Sequence, residues 1–189
     1  MLLINRSFLM SGVINQNKAN AEILDNSVFV LTKLLTRSGV DPKEAKASAK
    51  YYAYTPLIWA ARDGRKRLVE VLVEKGARVE DRTSGGYTAL HKACIEGHHE
   101  VCEVLLQSEA EVDCKDKHGN TPLHIACYQG HVDTVTMLLR WGAKLLINLQ
   151  DMTPLDVAKE EEEAEVVRIL EHWLLDHPQV GKPKPILNT

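Results

Sequence analysis

An all-α solenoid of stacked helix pairs is the fold class that this 189-residue sequence predicts, and three observations carry it. First, a Thr-x-Leu tripeptide starts at Thr55, Thr88, Thr121 and Thr153, at intervals of 33, 33 and 32 residues. Second, columns align when positions are counted from each Thr. Five later stand Ala60, Ala93, Ala126 and Ala158; seventeen later stand Leu72, Leu105, Leu138 and Leu170. Third, glycine punctuates the units, at Gly64, Gly97 and Gly130 and again at Gly76 and Gly142. So many coincident columns define an internal repeat, and a period in this range marks a chain of similar supersecondary units.

Each element of the unit has a local cause. The Thr opens a helix as its N-cap, and Pro56, Pro122 and Pro154 follow it in the first turn, where a missing N–H costs nothing. Leu and then Ala-Ala or Ala-Cys come next, small enough to let a second helix approach. Gly64 or Gly130 ends this short helix. A second helix is predicted from apolar residues at helical spacing: Leu68, Val69, Leu72 and Val73 in one unit, and Val135, Met137, Leu138 and Leu139 in another. Gly76 or Gly142 closes it, and a polar, turn-rich stretch leads to the next Thr. One such pair cannot bury its apolar face alone, so neighbouring units must stack.

The segments TALHKACIEGH at 88–98 and TPLHIACYQGH at 121–131 resemble the ankyrin repeat, whose period is 33 residues. The resemblance covers roughly residues 50–175. It implies antiparallel helix pairs with projecting hairpin loops, the inner helices and loop tips together forming a concave surface. Four repeats are expected, at about 50–82, 83–115, 116–147 and 148–175.

The ends depart from the pattern. In the last unit Asp156 stands where the middle units have His, and Glu162 and Glu163 replace Gly and His, as a polar terminal cap requires. Upstream, SVFVLTKLLTRSG at 27–39 resembles a second repeat helix with its closing Gly, but the Thr-Pro-Leu signature is missing before it. Residues 18–49 are therefore expected to form a divergent N-terminal cap with an insertion in DPKEAKASAK, preceded by an extension at 1–17. Residues 176–189 read as a flexible, Pro-rich tail.

Composition bounds the function. Hydrophobic residues make up 44% and charged residues 26%, with a formal net charge of −3, the profile of a soluble globular chain. No apolar run approaches the roughly 20 residues needed to span a bilayer. The N-terminal MLLINRSFLMSGVINQNK lacks a charged n-region and is broken at Asn5-Arg6-Ser7, so a cytoplasmic or nuclear location is expected. Four cysteines with no CxxC spacing read as reduced thiols. Charge is unevenly distributed: residues 1–95 carry 15 Lys and Arg against 9 Asp and Glu, and residues 96–189 carry 8 against 17.

Histidine and cysteine raise a metal hypothesis, because His91, Cys94 and His98 recur at the same offsets as His124, Cys127 and His131. A repeat explains the recurrence without a metal. The resemblance implies that the His of Thr-x-Leu-His ties neighbouring loops together, that the His after Gly is structural, and that Cys replaces Ala in the helix interface. No metal or other cofactor is expected. Nor is catalysis: the sequence has no P-loop, dinucleotide turn or nucleophile elbow, and consecutive glutamates at Glu160–Glu163 point in different directions on a helix.

Binding remains. The resemblance places variable contact positions just before the Thr and four, seven and eight residues after it. These map to Tyr51, Tyr52, Tyr54, Trp59 and Arg62 in the first unit, and to Tyr87, Lys92 and Ile95 in the second. The third supplies His118, Asn120, Tyr128 and Gln129; the fourth supplies Met152, Glu160 and Glu161. All five tyrosines of the chain fall in this set, and Tyr, Trp and Arg are the residues that dominate interface hot spots. The expected function is a non-enzymatic module that binds a protein or peptide partner across the concave surface, acting as a monomer. Its basic flank of Arg62, Arg65, Lys66 and Arg67 would favour an acidic segment, and Glu160 and Glu161 a basic one. The alternative is a structural or assembly subunit that uses outer helices and the N-terminal segment, with Trp141 and Trp173 outside the mapped surface. Nucleic acid is disfavoured, since no dense Lys/Arg run is present and the acidic half repels phosphate.

Overall fold

The computed structural model describes residues 55–177, which form eight helices in four successive pairs. They are α1 (Pro56–Arg62) and α2 (Lys66–Glu74), α3 (Ala89–Ile95) and α4 (His99–Gln107), α5 (Pro122–Tyr128) and α6 (Val132–Arg140), and α7 (Pro154–Glu160) and α8 (Ala164–Asp176). The odd-numbered helices contact one another in sequence as one layer, the even-numbered helices do so as another, and each pair packs internally. The architecture is the helical solenoid expected from the repeat. The last helix runs through Asp176, one residue into the segment expected to be tail. It is held there by His177, which stacks on Trp173 at 4.3 Å between ring centroids and has Nδ1 2.9 Å from the Trp173 carbonyl.

Threonine starts each inner helix. Thr55, Thr88, Thr121 and Thr153 are extended, and each hydroxyl accepts a hydrogen bond from the N–H three residues later. In the two middle units the histidine closes a reciprocal box: its Nδ1 accepts the backbone N–H of Thr88 at 3.2 Å and of Thr121 at 3.1 Å. Asp156 does the same in the fourth unit, its Oδ2 accepting from the Thr153 N–H at 2.9 Å. Ile58 occupies this position in the first unit and is buried instead.

Small residues set the packing. Ala60 and Ala61, Ala93 and Cys94, and Ala126 and Cys127 are all nearly inaccessible, so successive inner helices approach closely. Val69 and Leu72, Val101 and Leu105, Val135 and Leu138, and Val166 and Leu170 supply the outer half of one continuous core. Burying each leucine side chain contributes roughly 1.5–3 kcal/mol.

Directional bonds then fix the stagger between units. The neutral ring of His91, accepting at Nδ1, donates from Nε2 to the Asn120 carbonyl at 3.3 Å; His124 donates likewise to the Met152 carbonyl at 3.1 Å. His98 reaches back to the Arg62 carbonyl and His131 to the Ile95 carbonyl, each at 3.1 Å. These rings lie over Gly64 and Gly97, where an added Cβ would stand 2.7 and 2.9 Å from the imidazole. The projecting loops, or fingers, join through Lys117 N–H to the Gly85 carbonyl at 3.2 Å and Leu149 N–H to the His118 carbonyl at 3.0 Å.

Two predictions follow from this packing. Burial lowers the His91 pKa from 6.5 to about 4, and burial lowers that of His124 as well. The unfolded chain thus binds more protons than the folded one in this interval. The histidine contribution to stability is complete above pH 6.5 and is lost as the pH falls towards 4, His91 alone contributing on the order of 3 kcal/mol. Urea unfolding from pH 7.5 to 4 should show this slope, and His91→Gln should flatten it while lowering stability at pH 7.5. Separately, Glu109 holds φ 65° where Gly76 and Gly142 stand in equivalent units. Glu109→Gly should stabilise the fold by roughly 0.5–1 kcal/mol, read as a higher melting temperature.

Candidate binding surface

The mapped positions on the inner helices stand four, seven and eight after each Thr; the first of these is half-buried at Trp59 and Lys92 and buried at Ile125 and Val157. In the first unit Trp59 and Arg62 lie one turn apart on α1, with the Arg62 guanidinium 4.0 Å from the indole centroid. Asp63 clamps that guanidinium from the side, Oδ1 lying 3.0 Å from Nε and 2.9 Å from Nη2. A planar cation held between a ring face and a carboxylate is pre-organised, so little side-chain entropy remains to be lost when a partner meets it.

Lys92 occupies on α3 the position that Trp59 occupies on α1. Its ammonium lies 4.3 Å from the Tyr87 ring centroid, and the Tyr87 ring stands edge-on to His91 at 5.9 Å. Trp59, Arg62, Tyr87 and Lys92 are all half-buried, each with part of its surface open. The structure thus sets a second cation–aromatic pair on the unit next to the first.

The other mapped residues divide. Tyr128 is 53% exposed, and Gln129, His118, Glu160 and Glu161 are exposed as well. Ile95 is half-buried against the core. Asn120 and Met152 are half-buried and already engaged. Their carbonyls take the His91 and His124 bonds, and the Asn120 side chain accepts from Asn148 Nδ2 at 2.8 Å. Tyr51, Tyr52 and Tyr54 lie outside the described residues. Seven residues after the Thr, the row along the solenoid reads Arg62, Ile95, Tyr128, Glu160: cation, aliphatic, aromatic, anion.

The histidines and cysteines of the recurrent pattern, His91, Cys94 and His98 with His124, Cys127 and His131, are engaged in structure. All four thiols are buried and none is disulfide-bonded; Cys94 and Cys102 lie 3.6 Å apart, sulfur to sulfur. Burial pushes the Cys114 thiol up to about 12 and raises those of Cys94 and Cys127 well above the ordinary range. Among the described residues no three His, Cys, Asp or Glu side chains converge as a metal site, and no helix is long and apolar enough to cross a membrane.

Two features escaped the sequence reading. An outer groove of about 700 Å³ lies between α6 and α8, lined by Leu139, Arg140, Arg168, Ile169 and Trp173 among others. The finger before Thr153 exposes Ile147 and Leu149. The run LLINL at 145–149, apolar where the earlier fingers are charged, was the available signal for the second.

The profile of the family described as ankyrin repeats (3 copies) matches residues 20–116 and 108–176. No curated protein sequence matches the chain.

The thiol environment gives a direct test. None of the four cysteines should react with DTNB at pH 8 in the native protein, and all four should react in 6 M guanidinium chloride.

Proposed function

The chain belongs to the ankyrin repeat family, and from that premise we propose that it binds a partner protein or peptide across the concave surface of its inner helices and finger bases. Ankyrin repeats generally mediate protein–protein interactions, and proteins built from them are typically non-enzymatic. The observation that carries the proposal is the pair of neighbouring cation–aromatic contacts, Arg62 on Trp59 and Lys92 on Tyr87. Rigid aromatic anchors with a held cation are the side chains from which interface hot spots are made. The row from Arg62 to Glu160 gives the surface a direction. An acidic stretch of the partner lies over the first two units, and a basic stretch over the fourth.

The protein acts as a monomer in the cytoplasm or nucleus in this reading, without nucleic acid or cofactor. Four buried, unpaired thiols support a reducing compartment. A second reading, assembly through the outer helices, is favoured by the groove between α6 and α8 and by Trp141, which is 40% exposed. Sedimentation separates the two, since assembly requires a concentration-dependent oligomer.

The test is affinity capture from native lysate with the parent chain and the Trp59→Ala/Tyr87→Ala double variant, both checked by circular dichroism. The partner captured by the parent should bind the variant at least tenfold more weakly. Equal capture by two folded proteins would contradict the concave site.

A further inference from the structure

The bonds that hold the second unit to the third and the third to the fourth have no counterparts beyond the fourth among the described residues, position by position. Eight residues before the Thr, Glu80 accepts the Glu111 N–H at 2.9 Å and Asp113 accepts the Lys144 N–H at 3.0 Å; the fourth unit has Leu145 there. Six before it, Arg82 donates to the Lys115 carbonyl at 2.6 Å and Lys115 to the Ile147 carbonyl at 2.9 Å; the fourth unit has Ile147. Two before it, Gly86 and Gly119 leave room for the nitrogens of Lys117 and Leu149, each 2.9 Å from where a Cβ would stand; the fourth unit has Asp151. Three after it, Asp156 is a carboxylate and cannot donate as His91 and His124 do.

The helices follow the same logic. Cys94 and Leu106, and Cys127 and Leu139, are buried at two positions where the fourth unit has Lys159 and Glu171. These two are half-exposed and form an ion pair at 2.9 Å. A fifth unit of the same pattern would not find, at these positions, the acceptor, the donor or the apolar helix residues that the earlier units supply.

The helical layer of this terminal face is therefore polar, as solubility requires. The finger is not. Ile147 is 53% exposed and Leu149 is 76% exposed, at positions held by Arg82 and Lys115, and by Ser84 and Lys117, in the fingers before it. Asn148 between them is buried, its side chain bonded to Asn120, so the two aliphatic side chains turn outward on a fixed backbone. Leu145 and Leu146 continue the apolar surface at the finger base, half-buried. Asp151, Asp156 and Glu162 are all exposed, at positions whose counterparts (Gly86 and Gly119, His91 and His124, Gly64 and Gly97) meet the following unit.

We infer that this terminal finger and the carboxylates beside it form a second docking surface, which takes a protein segment of aliphatic side chains flanked by lysine or arginine. Aliphatic contacts cover Ile147 and Leu149, and the partner's cations meet Asp151, Asp156 and Glu162. A second copy of this chain fits poorly, because two such faces would press their carboxylates together. Asp151 and Glu162 adjoin Met152 and Glu161 of the concave set, but neither Trp59 nor Tyr87, the anchors of that site, belongs to this surface.

The test uses the full chain and labelled synthetic dodecapeptides, read by fluorescence polarisation. One peptide alternates leucine with lysine; its controls replace leucine by serine or lysine by glutamate. The Leu–Lys peptide should bind at least tenfold more tightly than either control. Ile147→Ser/Leu149→Ser should weaken it about tenfold, and Asp151→Asn/Glu162→Gln several-fold with a shallower salt dependence. Trp59→Ala/Tyr87→Ala should leave it unchanged. Equal binding by the parent and the Ile147→Ser/Leu149→Ser variant, or loss confined to the Trp59→Ala/Tyr87→Ala variant, would overturn the assignment. So would sedimentation showing a parent dimer that Ile147→Ser/Leu149→Ser dissolves, which gives the face to a second copy.

Discussion

A seven-residue helix packed on a nine-residue one cannot bury its own apolar face, and everything else in this molecule answers to that shortage. Ala93 and Cys94 are sealed only because α1 and α5 close over α3 from both sides. Stability therefore resides in the contacts between units as much as in the units themselves. The directional bonds set which contacts those are. His91, His98, His124 and His131 each spend a ring nitrogen on a carbonyl of a neighbouring unit, which fixes the stagger to a single register.

This division of labour frees the surface. Positions that cap, tie or pack are committed, and those that remain, on the open side of the inner helices, vary from unit to unit without disturbing the stack. Arg62, Ile95, Tyr128 and Glu160 share one such position. Four residues after the Thr the open side gives way to core along the solenoid, from half-buried Trp59 and Lys92 to buried Ile125 and Val157. A recognition surface graded from cationic to anionic is what such freedom yields when one scaffold is repeated. The same argument applied to the fourth unit shows tying positions turned over to other residues. Its helices became polar there, while its finger became apolar.

Much of this was legible in the sequence, for physical reasons. Thr caps, first-turn prolines and buried leucines act within a few residues, so their spacing alone carries the helices. The role of Asp156 was half legible. Its place in the repeat marks a departure, but only coordinates show that it keeps the capping bond of the histidine while losing the inter-unit one. Arg82 bonding to the Lys115 carbonyl and Asp113 bonding to the Lys144 N–H were not legible, because such partners lie a full repeat apart and meet only through stacking. Asn120 and Met152 mapped to contact positions, yet their backbones are engaged by histidines, which side-chain mapping does not see. The clamp of Asp63 on Arg62 depends on where the α1 helix stops.

If neighbours hold each unit in place, local opening should be graded along the solenoid. Native-state hydrogen exchange measures this most directly. Amides of α3 to α6, flanked on both sides, should exchange through one shared opening close to global unfolding. Those of α7 and α8, tied on one side only among the described residues, should open at a lower free energy and respond first to denaturant. Uniform protection across all four pairs, or strongest protection in α7 and α8, would contradict the claim that stacking between units is what stabilises them.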